Sequence, residues 1–200
     1  MTTVGFDYFT NGMNAPFDEF AKNMLSIITY NYDRSVEHFF MTSLQNTYGR
    51  NVDDCLPLVN AIPIIHLHGS LGPLPWQVKA GEPNRPYDYQ ISRENFEVSR
   101  THIKIIHEDV HDGRDADFAR AKQFLTDAQQ IFFLGFGYNR INLERLGVGN
   151  LDKTVQTILG TCVGLGGADR AQVFKDSLSR IDLITDVDCY GMISERLQWQ

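Results

Sequence analysis

"LSIITYNYDRSVEHFF" (residues 25–40) decides the fold. Its first half, "SIITY" (26–30), is short, apolar and β-branched, the composition of a buried strand. Its second half opens a stretch, residues 33 to 46, that carries apolar residues at helical spacing. Between them stand Asn31 and Asp33, an amide and a carboxylate at the mouth of the turn. Either residue serves as a helix cap for the segment beginning near Arg34. A strand that runs directly into a helix is half of a strand–helix–strand unit, and that unit makes parallel sheets.

The same alternation continues along the chain. Apolar runs recur at "IPIIHLHG" (62–69), "QIFFLGFG" (130–137), "VQTILGT" (155–161) and "IDLITDV" (181–187). Helical patterns fill 115–128, 168–179 and 189–198. Strands alternating with helices predict a three-layer, Rossmann-like α/β/α fold with a mostly parallel sheet. With 200 residues, one domain spanning 1–200 is expected. Residues 1–16 read as an irregular N-terminal segment. Residues 69–90 hold four of the seven prolines and no period, so they read as a long loop. Connections of that length are commonly lids or binding loops, or simply wandering surface chain.

Composition narrows the function classes. Eighteen basic against 25 acidic residues give a net charge of −7 and no basic stripe, which argues against nucleic-acid binding. An acidic surface still admits a small anionic nucleotide held by backbone N–H groups. Three well-separated cysteines (Cys55, Cys162, Cys189) form neither a disulfide framework nor a zinc ribbon. No apolar run is long enough to span a bilayer, and the N-terminus lacks a signal-peptide pattern. The expected setting is soluble and cytoplasmic, without membrane partners.

In open α/β sheets, ligands bind beyond the carboxyl ends of the strands. Those ends carry Asn31 and Asp33, then His68-Gly69-Ser70, then Gly135-Phe136-Gly137. Each has an ordinary structural explanation: a cap, a buried histidine, turn glycines. Two metal signals compete. "HLH" (66–68) puts His66 and His68 on one strand face by period two, but names no third ligand. "HEDVH" (107–111) matches H-E-x-x-H, with Glu108 as the base of a zinc peptidase. Asp109 and the helix-breaking "DGRD" that follows favour an exposed helix end instead. No cysteine adjoins a histidine, and Ser70 lies outside a G-x-S-x-G elbow. No metal is therefore expected.

Read together, "TYNYD" (29–33), "HLHGS" (66–70) and "FLGFGYNRIN" (133–142) resemble, in that order, the motifs of sirtuin-like domains. The resemblance is nearest to divergent bacterial members, many of them NAD-cleaving effectors of antiphage defence, and covers residues 22–198. It implies a sheet that binds NAD. It assigns Asn31 to the nicotinamide ribose and the attacking water, and His68 to the ribose hydroxyls as general base. Thr29 and Asp33 belong to the same motif, with Asp33 holding the nicotinamide end, and Gly69 follows the histidine. Gly135, Gly137 and Asn142 fall on the adenosine side, where "LGTC" (159–162) and Asp188 are weaker candidates. The chemistry suits these types: neutral imidazole accepts a proton near neutral pH, and an amide orients water without adding charge.

The chain departs from the pattern in two places. The zinc-binding cysteines of deacylating sirtuins are missing, which ranks NAD hydrolysis above NAD-dependent deacylation. The usual opening strand with its G-A-G-x-S phosphate loop is also missing ahead of residue 29. The chain is then either part of a longer protein or a member that has lost the loop. The first expectation is an NAD glycohydrolase; the alternative is a catalytically silent module that binds NAD or ADP-ribose. A sheet lacking its neighbour strand needs its edge covered, and pairing in a homo-oligomer is one solution.

Overall fold

The computed structural model describes residues 15–88, 90–104 and 116–196, and the chain is a mixed α/β protein. Its residues gather into two compact units, one spanning Ala15–Asp117 and one built after it. Among the described residues, five strands form two parallel sheets, one of two strands and one of three, where the sequence suggested a single sheet.

In the first unit, β1 (Ile27–Thr29) pairs in parallel with β2 (Ile64–His66), in the register Ile27–Ile64, Ile28–Ile65, Thr29–His66. The link between them holds two helices, α1 (Ser35–Tyr48) and α2 (Val52–Asn60). Phe40, Met41 and Leu44 of α1 and Cys55, Leu58 and Val59 of α2 are buried, as are Ile62, Ile65 and Leu67 around β2. Burial of this aliphatic and aromatic surface is the main stabilising term for the unit. Gly49 ends α1 with φ +63°, a left-handed cap that a side chain would strain. Asn51 caps α2 by accepting from the Asp54 amide at 2.9 Å. A third helix, α3 (Arg93–His102), starts on Ser92, whose hydroxyl accepts from the Asn95 amide.

Neither α2 nor α3 stands out in the sequence pattern. Pro57 lies inside α2, where proline ordinarily breaks a helix. The helix nevertheless keeps a buried face of Cys55, Leu58 and Val59. α3 is mostly polar and buries only Val98 and Ser99, too little for an apolar period.

The second unit takes up α4 (Ala116–Asp127) from Phe118 onward and continues as β3 (Gln130–Phe133), α5 (Arg140–Leu146), β4 (Thr157–Thr161), α6 (Gly167–Asp176), β5 (Asp182–Ile184) and α7 (Cys189–Arg196). Its strands lie in the order β3-β4-β5, all parallel. Ile131, Phe133, Ile158, Leu143, Leu146, Val148, Met192 and Ile193 make the core. Gln156 is buried at the foot of β4, its amide shared among the Leu125, Thr126 and Ala128 carbonyls that end α4. Among the described residues, no helix is long and apolar enough to cross a membrane.

Candidate functional site

Both strand ends of the first unit lead into tight polar turns. After β1 the Asn31 amide donates to Thr29 Oγ1 at 3.1 Å, and Asp33 Oδ1 accepts from the Ser35 amide at 2.9 Å. Asp33 thus closes an Asx turn onto the first residue of α1, while the N-cap position itself is Arg34, which makes no side-chain cap bond. Burial works against its charge, but the bonds from Ser35 and the nearby His66 outweigh that, and its pKa falls below the usual value. Asn31 is exposed.

β2 ends at His66 rather than running to Gly69, and the chain turns through Leu67 and His68. The period-two argument for "HLH" lapses at that turn, and the two imidazoles have different surroundings. His68 is buried, with its ring edge-on to Tyr30 at 5.2 Å. His66 Nδ1 lies 2.8 Å from the Asn31 carbonyl and Nε2 lies 2.8 Å from Glu37 Oε1. Burial disfavours the His66 cation, yet the Glu37 bond and charge, the Asn31 carbonyl and Asp33 together raise its pKa above 6.5. No three His, Cys, Asp or Glu side chains gather as a metal site among the described residues, and residues 107–111 lie outside them.

Gly69 follows with φ +76°, in an antiparallel bridge to Ile103. A Cβ there would sit 2.0 Å from the His102 carbonyl oxygen, so only glycine fits. Among its described residues, the long segment beyond it has one short helical turn, Pro75–Gln77, and is otherwise irregular. It is tied to α1 by Arg34, which is buried. Arg34 Nη1 donates to the Gly72 and Arg85 carbonyls at 3.1 and 2.5 Å, and Nη2 donates to that of Pro86 at 3.4 Å. His38 stacks on Tyr87 at 4.0 Å and on Trp76 at 6.1 Å, and Ser35 Oγ meets the Tyr87 hydroxyl at 3.0 Å. Arg85 reaches the Ser99 hydroxyl on α3 at 2.7 Å. The loop is a strap fastened along its length.

The second unit places its glycines differently. Gly135, at φ +57°, gives its amide to Thr161 Oγ1 at 3.0 Å, joining the ends of β3 and β4. Gly137 has open space where a Cβ would stand. Tyr138, buried and left-handed at φ +48°, donates to the Thr161 carbonyl at 2.8 Å, and burial pushes its hydroxyl pKa far up. Its oxygen would be 2.2 Å from a Cβ on Gly160, which explains glycine in "LGTC". Asn142 lies half-buried within α5, while Asn139 caps that helix. A cavity of about 630 Å³ opens past the ends of β4 and β5, lined by Cys162, Val163, Arg170, Asp186, Asp188 and Glu195 among others. Asp186 holds a left-handed φ of +63°, and Asp188 accepts from the Gly191 amide at 2.8 Å. The weaker candidates of "LGTC" and Asp188 thus converge on one concavity, whereas Gly135, Gly137 and Asn142 do not line it.

Sequence reasoning passed over Glu37 and Arg34. Glu37 lies in the first turn of α1, where a carboxylate is ordinary, and its partner His66 is 29 residues away. Arg34 had no local signal either, because its partners are carbonyls 38 to 52 residues away. No family model, curated protein or solved structure matches the chain.

Proposed function

We propose that the chain takes NAD and hydrolyses its nicotinamide–ribose bond. The observation that supports this reading most is the placement of Asn31 and His68 just beyond the carboxyl ends of two adjacent parallel strands. That is the region where α/β sheets bind ligands. In the proposed reaction, water adds to the ribose carbon while the carbon–nitrogen bond breaks and its electron pair leaves with nicotinamide. The products are nicotinamide, ADP-ribose and a proton. Asn31 orients the water through its exposed amide, and His68 relieves the developing sugar cation by accepting a ribose hydroxyl proton. The cavity beyond β4 and β5 is separately assigned to a nucleoside, with Asp186 or Asp188 as acceptors for sugar hydroxyls.

Incubation of the purified chain with NAD should release nicotinamide, and His68→Ala should lower the rate by about 100-fold or more. Release that survives the substitution removes His68 from the reaction. A second reading, a module that binds without turnover, draws support from the internal use of Thr29, Asp33 and the Asn31 carbonyl. Heat on titration with ADP-ribose, with no nicotinamide released from NAD, would select it.

A further inference from the structure

The most tightly organised polar group in the first unit is absent from the reaction just described. His66 joins three elements: β2, which carries it, the turn after β1, through the Asn31 carbonyl, and α1, through Glu37. Its side chain and that of Glu37 are only 11 % and 9 % exposed. Both partners are acceptors. A carbonyl oxygen has no proton to give, and an ionised carboxylate has none either. A neutral imidazole owns one N–H and can satisfy only one of them. With Glu37 ionised, both bonds at 2.8 Å are made by the imidazolium, with Nδ1–H donating to Asn31 and Nε2–H donating to Glu37.

We propose that His66 and Glu37 form a charged clamp that positions Asn31 for the attacking water, with His66 a positioning residue and Glu37 its anchor. The inference rests on the glycohydrolase reading for its catalytic half. The clamp holds the backbone of Asn31 from the carbonyl side, while Thr29 Oγ1 holds its amide. Fixed at both peptide groups, the residue presents its side chain outward with little backbone freedom. A positioned residue loses activity through small displacements, so a clamp on the carbonyl acts on the turnover rate.

Other charges bear on the group from each element around it. Asp33, in the turn, favours the cation. Arg34, at the head of α1, lies in the field of Glu37 and sets a second positive charge near that carboxylate. Glu37 Oε2 is buried without a hydrogen-bond partner among the described residues, so His66 is the close donor to this carboxylate there. On the β2 side, His68 lies two residues on, with its ring against Tyr30.

The full chain, labelled with nitrogen-15, tests this by three readouts. Near about pH 7 the two ring nitrogens of His66 should both show the shift of a protonated imidazole. In Glu37→Gln the ring should become neutral, and its bond to the Asn31 carbonyl should lose its charge assistance. Opening of the turn, read by exchange of the Asn31 amide that sits on Thr29 Oγ1, should become about tenfold easier. Nicotinamide release should fall through kcat with KM little changed. His66→Gln should behave alike, and His66→Lys, whose ammonium can donate to both acceptors, should restore slow exchange and turnover. A neutral His66 ring in the wild type overturns the clamp, as does unchanged Asn31 exchange in a folded Glu37→Gln chain. If Glu37→Gln fails to fold, the His66→Gln and His66→Lys pair decides by the same exchange measurement. A wild type that releases no nicotinamide overturns the glycohydrolase reading and the catalytic half of the proposal, while the ring shift and the amide exchange still decide the clamp.

Discussion

The strand ends of the two units solve opposite problems. In the first, nearly every polar group beyond β1 and β2 is already engaged within the unit: Thr29 with Asn31, Asp33 with Ser35, His66 with Asn31 and Glu37. In the second, the ends of β4 and β5 open on a cavity whose wall carries Arg170, Asp186, Asp188 and Glu195. One region commits its polar groups to rigidity, and the other leaves charge facing a space. Bound groups are therefore best sought where the concavity is, and the close placing of a reacting atom where the internal bonds are.

The largest effect should separate the glycines of the two units. Gly69→Ala forces a Cβ against the His102 carbonyl at a left-handed φ, and should cost about 3 kcal/mol or more in denaturant unfolding. Gly137→Ala, with open space at that position, should change stability by about 0.5 kcal/mol at most. Equal losses would break the contrast between a packed and an open strand end.

Next in size is Arg34→Met, which strips the Gly72, Arg85 and Pro86 carbonyls of their donor. We expect a loss of about 2 kcal/mol, with protease cutting moving into residues 69–88. Cutting confined to other segments would show that the strap is held by the His38, Tyr87 and Trp76 stack instead.

The smallest effect concerns pH. His66 has a raised pKa, so its contribution is complete below 6.5 and fades as pH rises through the higher folded value. His38 runs the other way. Burial first, then the charge of Arg34, lowers its pKa, so its contribution is present above 6.5 and fades as pH falls through the folded value. Glu37→Gln removes the first effect and leaves the second largely in place. The stability gap between wild type and Glu37→Gln should therefore be widest below 6.5 and narrow as pH rises through the raised folded pKa of His66. A gap independent of pH would mean that Glu37 acts by shape rather than by charge.

The difference between the units also bears on what the sequence could reveal. The β-branched runs locate all five strands, because burial on a parallel sheet requires that composition. The ends of the strands are harder. "IPIIHLHG" reads as one extended run, but the positive φ of Gly69 and the turn at Leu67–His68 end pairing at His66. That single boundary turns a supposed pair of metal-facing imidazoles into one histidine bound to Glu37 and another packed on Tyr30. The partnership of His66 with Glu37 joins residues 29 positions apart, a distance no local pattern encodes. The turn that Asp33 makes at the head of α1 is legible because bonds from a carboxylate to the backbone two residues on are local.

Arg34 carries one more consequence. Its guanidinium meets carbonyl oxygens rather than carboxylates, and it is buried. Salt screens exposed charge pairs such as Lys22–Glu19, whose side chains are 73 % and 53 % exposed. It has little hold on a cation already wrapped in neutral dipoles. The strap over α1 should thus stay down across a wide range of ionic strength, which makes its attachment a property of the fold and not of the surrounding medium.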